Sequence, residues 1–353
     1  MDLEALADGR LEIPDELDMA SKLMLEEITN MKDLTLENDK IPVVTATEFM
    51  QFWNGVSEHT QSSPSGLHYG VYKASAKDES LSDIHAKQMT LIARSGVYPS
   101  RWSKSMQILR QKRAGEEVDM SNLRYLQLFE ADFNWKKQIF IGRIAMENLT
   151  NSGLLPEEHG SRRGSTAIDA SLDVTLSVDV SRQARIPMAI LSLDASQCFD
   201  RVNHIFMALI WIVLTRNLFV VFTILACLQT MEFFQRTGYG DSQDCFGIIN
   251  CITTWMGLGQ GSRGASHGWM QLSTVIVNVM KKTGHVSDMI NPISGEEVNS
   301  LGSLFVDDAN LMVYGDRKKF KTTGDLYRKV RATAKAWAYL LRATGGSLKP
   351  VKC

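Results

Sequence analysis

Two carboxylates stand side by side in Ser303-Leu-Phe-Val-Asp-Asp-Ala-Asn-Leu-Met-Val313, with an apolar run entering and another leaving. On a regular strand, adjacent side chains face opposite ways. At a tight hairpin both can reach one pocket, and Asp-Ala-Asn is acceptable turn chemistry. Carboxylates held together repel unless a cation stands between them, and Mg²⁺ is the hard dication that suits oxygen ligands and phosphates. For this stretch alone, an exposed Asp-Asp turn is an equal alternative. A second stretch shifts the balance. Ala189-Ile-Leu-Ser-Leu-Asp194 is another short apolar strand that delivers a carboxylate at its end, and Ala-Ser-Gln-Cys-Phe-Asp-Arg-Val202 follows. Two strands each ending in Asp are what two-metal phosphoryl transfer needs, with ions roughly 3.5–4 Å apart.

A third stretch, Gly257-Leu-Gly-Gln-Gly-Ser-Arg-Gly-Ala-Ser266, has glycines that let backbone approach a ligand closely. In this order (strand-Asp, Gly-Gln-Gly loop, Val-Asp-Asp hairpin) the blocks resemble the A, B and C motifs of reverse transcriptases. Trp337–Cys353, ending Thr-Gly-Gly-Ser-Leu-Lys-Pro-Val-Lys-Cys, is similar to the D motif. Ser63-Pro-Ser-Gly-Leu-His-Tyr-Gly-Val-Tyr-Lys73 and Arg124-Tyr-Leu-Gln-Leu-Phe-Glu-Ala-Asp-Phe-Asn134 resemble upstream blocks of non-LTR retroelement polymerases. The resemblance covers residues 60–353.

It implies an α+β right-hand polymerase fold with fingers and palm, the palm a small antiparallel sheet backed by the apolar helices around 205–234. It implies RNA-templated, primer-dependent DNA synthesis from deoxynucleoside triphosphates, with an RNA template, a DNA primer and two Mg²⁺ ions, for which Mn²⁺ can substitute. Asp194, Asp307 and Asp308 match the metal ligands. Lys349 and Lys352 are candidates for the lysine that protonates the leaving pyrophosphate; Lys352 matches its position better, since Asn commonly stands where Lys349 does. Phe199 matches an aromatic ring that blocks a 2′-hydroxyl, with plain core packing as the alternative. Gln260 and Gly261 match the Gln-Gly pair against nucleotide and template base, although the Ser-Pro that usually follows is here Ser266-His267. Val306, where viral RNA polymerases carry Gly, joins Phe199 in favouring DNA synthesis. Lys112 or Arg113, with Arg124, match the cations that grip the triphosphate from a fingers hairpin; a solvated basic hairpin is the alternative.

The elements that must position these residues follow from the pattern. Thr45–Val56 reads as a helix with a Thr45/Glu48 capping box and Phe49, Phe52 and Trp53 on one face. A helix spans about Asp78 to Ser95, and a strand through Met106, Ile108 and Leu109 is followed by Lys112, Arg113 and a turn. The stretch from Arg124 to Leu128 alternates as a half-exposed strand does. Phe129–Met146 reads as a helix with Trp135, Ile139 and Ile144 on its apolar side. Lys136, Lys137 and Arg143 form a basic side suited to a template backbone, and Arg162 and Arg163 lie in a loop that can meet phosphate. A helix from Ser165 to about Arg182 leads into the strand ending at Asp194, with Pro187 just before it. Asp200 reads as a helix N-cap.

The 353 residues carry a net charge of −2, unusual for a nucleic-acid enzyme, but the sign is uneven. Residues 1–60 hold 14 Asp/Glu against 4 Lys/Arg; the remainder holds 34 Lys/Arg against 26 Asp/Glu. That division sets off an acidic helical extension (1–60), and the resemblance implies a fingers-like region (61–188) and a palm (189–353) in the rest. Five cysteines without Cys-x-x-Cys spacing signal neither zinc nor disulfides, so a reduced, intracellular chain, in nucleus or cytoplasm, is expected. No signal peptide opens the sequence. Ile205–Leu228 is apolar enough to raise a membrane-embedded alternative. Arg216 and Asn217 interrupt it, so two buried helices meeting near Thr215–Asn217, and no membrane partner, are expected. The sequence ends at Cys353 directly after the D-like block, which implies a fragment lacking a thumb. A truncated relic that binds nucleic acid without polymerising is the runner-up.

Overall fold

A computed structural model describes residues 10, 12–31, 43–59, 64–112, 115, 119, 122–151, 157–247, 256–290, 295–315 and 322–353. In chain order these form α1 (Met19–Asn30), α2 (Ala46–Asn54), α3 (Tyr69–Ser75), α4 (Glu79–Ser95), β1 (Lys104–Gln111) and β2 (Leu123–Leu128). Then come α5 (Ala131–Ile139), a π-helical turn (Phe140–Ile144), α6 (Ala145–Asn151), α7 (Ala167–Gln183), β3 (Met188–Asp194), α8 (His204–Thr215) and α9 (Leu218–Gln229). The chain continues through β4 (Glu232–Thr237), β5 (Gly240–Phe246), α10 (Ala265–Lys282), β6 (Ser287–Ile290), β7 (Glu297–Ser300), β8 (Gly302–Phe305), β9 (Asp308–Tyr314) and α11 (Thr323–Ala343). The fold is mixed α+β. It divides into two compact units, each discontinuous in sequence: Met1–Leu34, Leu149–Ile210 and Ser266–Cys353 form the first, and Thr35–Asn148 with Trp211–Ala265 the second. Residues 1–60 therefore divide between the two units.

The first unit is built on a three-stranded antiparallel sheet in the order β3-β9-β8. Leu304, Leu311 and Val313 are buried in it. Helix α7 packs on β8, and α11 packs on β3, β9 and α1. The apolar stretch 205–234 was expected to back this sheet, but α7 and α11 are the helices that pack on it, and α9 packs against α4 in the second unit. Burial explains the choice: Trp337, Leu340 and Leu341 give α11 the apolar face that a half-buried sheet needs.

The second unit carries a four-stranded sheet, β2-β1-β4-β5, in which β1 pairs antiparallel with β2 and parallel with β4. Its core is aromatic. Trp53 stacks on Tyr72 at 4.6 Å between ring centres, and Phe49 meets Trp135 edge-on at 5.1 Å. The Thr45/Glu48 capping box forms as expected, and Asp78 caps α4, which stops at Gly96 in the left-handed conformation.

The apolar stretch breaks where Arg216 and Asn217 interrupt it. Arg216 adopts a positive φ, and the Asn217 side chain accepts from the Val220 N–H at 2.9 Å to start α9. Among the described residues, no helix is long and apolar enough to cross a membrane. Asp200 is not the cap expected of it. The chain turns through residues 196–200, and Asn203 accepts from the Ile205 N–H at 2.8 Å where α8 begins.

Candidate active site

Strand β3 ends at Asp194 and β9 begins at Asp308, and the antiparallel register makes these two residues direct partners. Cross-strand partners project from the same face of a sheet. The two carboxylates predicted 114 residues apart in sequence are thus brought together. Asp307 lies in the turn between β8 and β9, and its carbonyl accepts from the Ala195 N–H at 3.2 Å, which ties the turn to the end of β3. Asp194 is buried and Asp308 is exposed. Burial raises the Asp307 carboxyl above its ordinary range, and the like charges of Asp308 and Asp194 push the same way.

The C-terminal segment joins this cluster through its backbone. The Lys349 N–H donates to the Asp194 carbonyl at 2.9 Å, and the Ser196 N–H donates to the Ser347 carbonyl at 2.7 Å. The Arg201 guanidinium donates to the Ser347 hydroxyl at 2.9 Å. This places the exposed Lys352 ammonium 2.9 Å from an Asp194 carboxylate oxygen, and that hydrogen bond raises the lysine's pKa. Phe199 is half-buried in the turn after β3. Its neighbour Cys198 is buried, and burial first, then the charge of Asp307, hold its thiol protonated.

The turn itself is strained. Val306 has φ +57°, a conformation that a β-branched residue disfavours by about 1–3 kcal/mol. Its carbonyl accepts from the Trp269 indole N–H at 2.6 Å. Its N–H faces a carboxylate oxygen of Glu158 at 3.4 Å. Neither Glu158 nor Trp269 was anticipated from sequence. Their only signal is a three-dimensional one, the bridge between Glu158 and Leu304 that lays residues 157–159 along β8.

An all-oxygen donor set of Asp194, Asp307 and Asp308 has the chemistry that Mg²⁺ or Mn²⁺ prefers. Among the described residues, however, no group of three or more His, Cys, Asp or Glu side chains is arranged to hold a metal ion. Asp194 is instead neutralised by Lys352. The donor types fit the ion, and the pair in register supplies the start of a ligand set rather than a closed one.

The other predicted residues divide. Lys112 is exposed at the end of β1, and its N–H donates to the Asn122 carbonyl at 2.8 Å. Arg113 lies outside the described residues. Arg124 is exposed on β2 opposite Arg110, so the hairpin pairs two arginines on one face; Arg110 escaped the sequence reading because only the register reveals it. The glycine loop holds its close approaches within the protein. The Gln260 carbonyl accepts from the Gln127 N–H at 2.7 Å. A Cβ on Gly261 would stand 2.7 Å from the Gln127 carbonyl oxygen, and one on Gly259 would stand 2.4 Å from the Phe129 ring. These glycines are required by packing against β2 and Phe129.

Lys136 and Lys137 do not form a basic face. Both are fully buried, because α5 is buried on every side, and their ammonium nitrogens have no hydrogen-bond partner. Arg143 is ion-paired with Glu48. Arg163 is exposed and Arg162 half-buried in the loop before α7, in the first unit. No family model matches the chain, and no curated protein matches it.

Proposed function

We propose that this chain is an RNA-directed DNA polymerase module of a retroelement, its first unit a palm and its second a fingers region. The reaction is attack of a primer 3′-hydroxyl on the α-phosphate of a deoxynucleoside triphosphate, with pyrophosphate leaving. The observation that carries the reading is the register pairing of Asp194 with Asp308, with Asp307 in the adjoining turn. Supporting it is the order of the sequence blocks and the convergence of the A-like and D-like blocks at Asp194 and Lys352. Bound by the three aspartates, Mg²⁺ ions would supply activation of the primer hydroxyl and stabilisation of the leaving group.

The chain's own residues have distinct tasks. Asp194, Asp307 and Asp308 concentrate negative charge where a divalent cation is needed. A cation bound beside the raised Asp307 carboxyl would act against that shift and favour its ionised form. Lys352 stays protonated beside Asp194, which suits it to hold a proton at Nζ for the departing pyrophosphate. Phosphoryl transfer needs no protein nucleophile, so beyond the proton at Lys352 the protein contributes positioning and charge. The test is extension of a DNA primer on an RNA template with Mg²⁺. Extension by the wild type and its loss in Asp307→Ala, with the fold retained by circular dichroism, is the expected result. Extension that survives the substitution removes Asp307 from the reaction.

One observation favours a second reading, nucleic-acid binding without synthesis. The Lys352 ammonium already neutralises Asp194, and the described carboxylates form no closed metal set. Salt-dependent binding to a primer–template, with no extension at any Mg²⁺ or Mn²⁺ concentration, would establish it.

A further inference from the structure

We infer that Glu158, Gly160 and Trp269 are positioning residues that clamp the Val306 peptide and thereby set the conformation of the Asp307–Asp308 turn. Its functional consequence rests on the proposed role of those aspartates; the clamp itself does not.

The segment before α7 runs as a strap along β8. The Leu304 N–H donates to the Glu157 carbonyl at 2.7 Å, and the His159 N–H donates to the Leu304 carbonyl at 2.9 Å. This fixes Glu158, 2% exposed, beside the end of β8. One oxygen of its carboxylate accepts from the Gly160 N–H at 2.7 Å and faces the Val306 N–H at 3.4 Å; the other accepts from the Ser273 hydroxyl at 3.0 Å. A carboxylate is the side chain that accepts from three donors while presenting none of its own. On the far side of the same residue, the Trp269 indole holds the Val306 carbonyl. The residue at positive φ is therefore gripped at both its N–H and its C=O.

Gly160 makes the grip possible. A Cβ there would stand 2.4 Å from the Val306 nitrogen, 2.7 Å from Val306 Cγ2 and 2.9 Å from the Glu158 carboxylate. No side chain fits without moving the turn. Burial pushes the Glu158 carboxyl up to about 7, while its three donors oppose that shift.

The strain at Val306 supplies the test, because glycine adopts positive φ freely. If the clamp holds a strained valine, removing the clamp matters with Val306 present and ceases to matter with glycine there. The readout is amide hydrogen exchange of residues 303–310, with the β1–β2 hairpin as an internal control. Glu158→Ala is expected to speed exchange in the turn about tenfold or more and to leave the control within twofold. Glu158→Ala combined with Val306→Gly is expected to return the turn to within about threefold of wild type. Should Glu158→Ala unfold the protein, the isosteric Glu158→Gln takes its place, expected at about fivefold faster exchange, with Val306→Gly returning the turn to within about twofold of wild type. Turn exchange within twofold of wild type in the single variant, or no rescue by Val306→Gly, overturns the clamp. A second measurement separates this from the polymerase reading. Mn²⁺ affinity, followed by electron paramagnetic resonance, is expected to weaken about tenfold in Glu158→Ala and to recover in the double variant. A wild type that binds no Mn²⁺ and extends no primer sinks the metal-site reading, while the exchange data still decide the clamp.

Discussion

Two of the places in this molecule that bury ionisable groups differ in the partners they supply. Around the aspartate turn of the first unit, buried acids have partners: Glu158 has three donors, Glu157 pairs with Lys281 at 2.6 Å, and Asp194 pairs with Lys352. In α5 of the second unit, Lys136 and Lys137 have only aromatic faces. The Lys137 ammonium stands 3.8 Å from the centre of Phe129 and 4.2 Å from that of Phe133, and Lys136 stands 5.7 Å from Trp102. A desolvated cation–π contact is worth about 2 kcal/mol, whereas removing an ion from water costs several. The amine therefore escapes the penalty by losing its proton. Burial pushes Lys136 down to about 7 and holds Lys137 well below its ordinary value. The buried acids near the turn have hydrogen-bond or ion-pair partners, whereas the two buried amines of α5 have aromatic faces in place of them.

The largest effect that sharpens this contrast is on activity. Asp307→Ala is expected to lower primer extension by at least about 10²–10³-fold, the scale of removing one electrostatic stabiliser, with little change in stability. Lys136→Met should do the reverse. It is expected to raise stability in urea unfolding by about 1–3 kcal/mol, the scale of removing a buried polar group that has no hydrogen-bond partner, and to leave extension unchanged. A loss of stability in Lys136→Met would show that the buried amine has a partner worth more than its desolvation. A smaller effect belongs to Phe199, half-buried in the turn that follows Asp194. Phe199→Ala is expected to raise ribonucleotide incorporation relative to deoxyribonucleotide by about tenfold if its ring screens the 2′-hydroxyl. An unchanged ratio would return Phe199 to core packing.

The same contrast explains what the sequence could and could not reveal. Strand ends, breaks and caps are local, so Asp194 at the end of β3, the turn at Asp307, the break at Arg216 and the capping box of Thr45 and Glu48 were all legible. The basic face of α5 was misread because a helical pattern assigns faces without saying whether any face meets water. Here Asp132, Asn134, Lys136 and Lys137 are buried together with Phe133 and Trp135. The clamp was hidden for another reason. Pro-Glu-Glu-His-Gly reads as a polar loop, and its contacts to Ser273 and Val306 span 115 and 148 residues. The glycines of the 257–264 loop were legible as sites of close approach, but sequence does not say what approaches; Gln127 and Phe129 do.

The finest test of the contrast is the sign of the pH dependence of stability. For Glu158 the folded carboxyl titrates near 7 and an unfolded glutamate near 4.5. Between those values the folded state binds more protons, so stability is greatest below 4.5 and falls as pH rises through 7. For Lys136 the folded amine titrates near 7 and an unfolded lysine near 10.5. Between those values the unfolded state binds more protons, so this contribution grows as pH rises from 7 to 10.5. Each slope is at most about 1.4 kcal/mol per pH unit. Urea midpoints across pH 4–10 should therefore show a decline below neutrality that Glu158→Gln reduces and a rise above it that Lys136→Met reduces, Asp307 and Lys137 contributing to the remainder in the same directions. The two substitutions act on different units and share no partner, so their effects should add. A wild-type profile that stays flat from pH 4.5 to 7 would mean that the donors of Glu158 fully offset its burial, and the turn would then hold a permanently ionised acid.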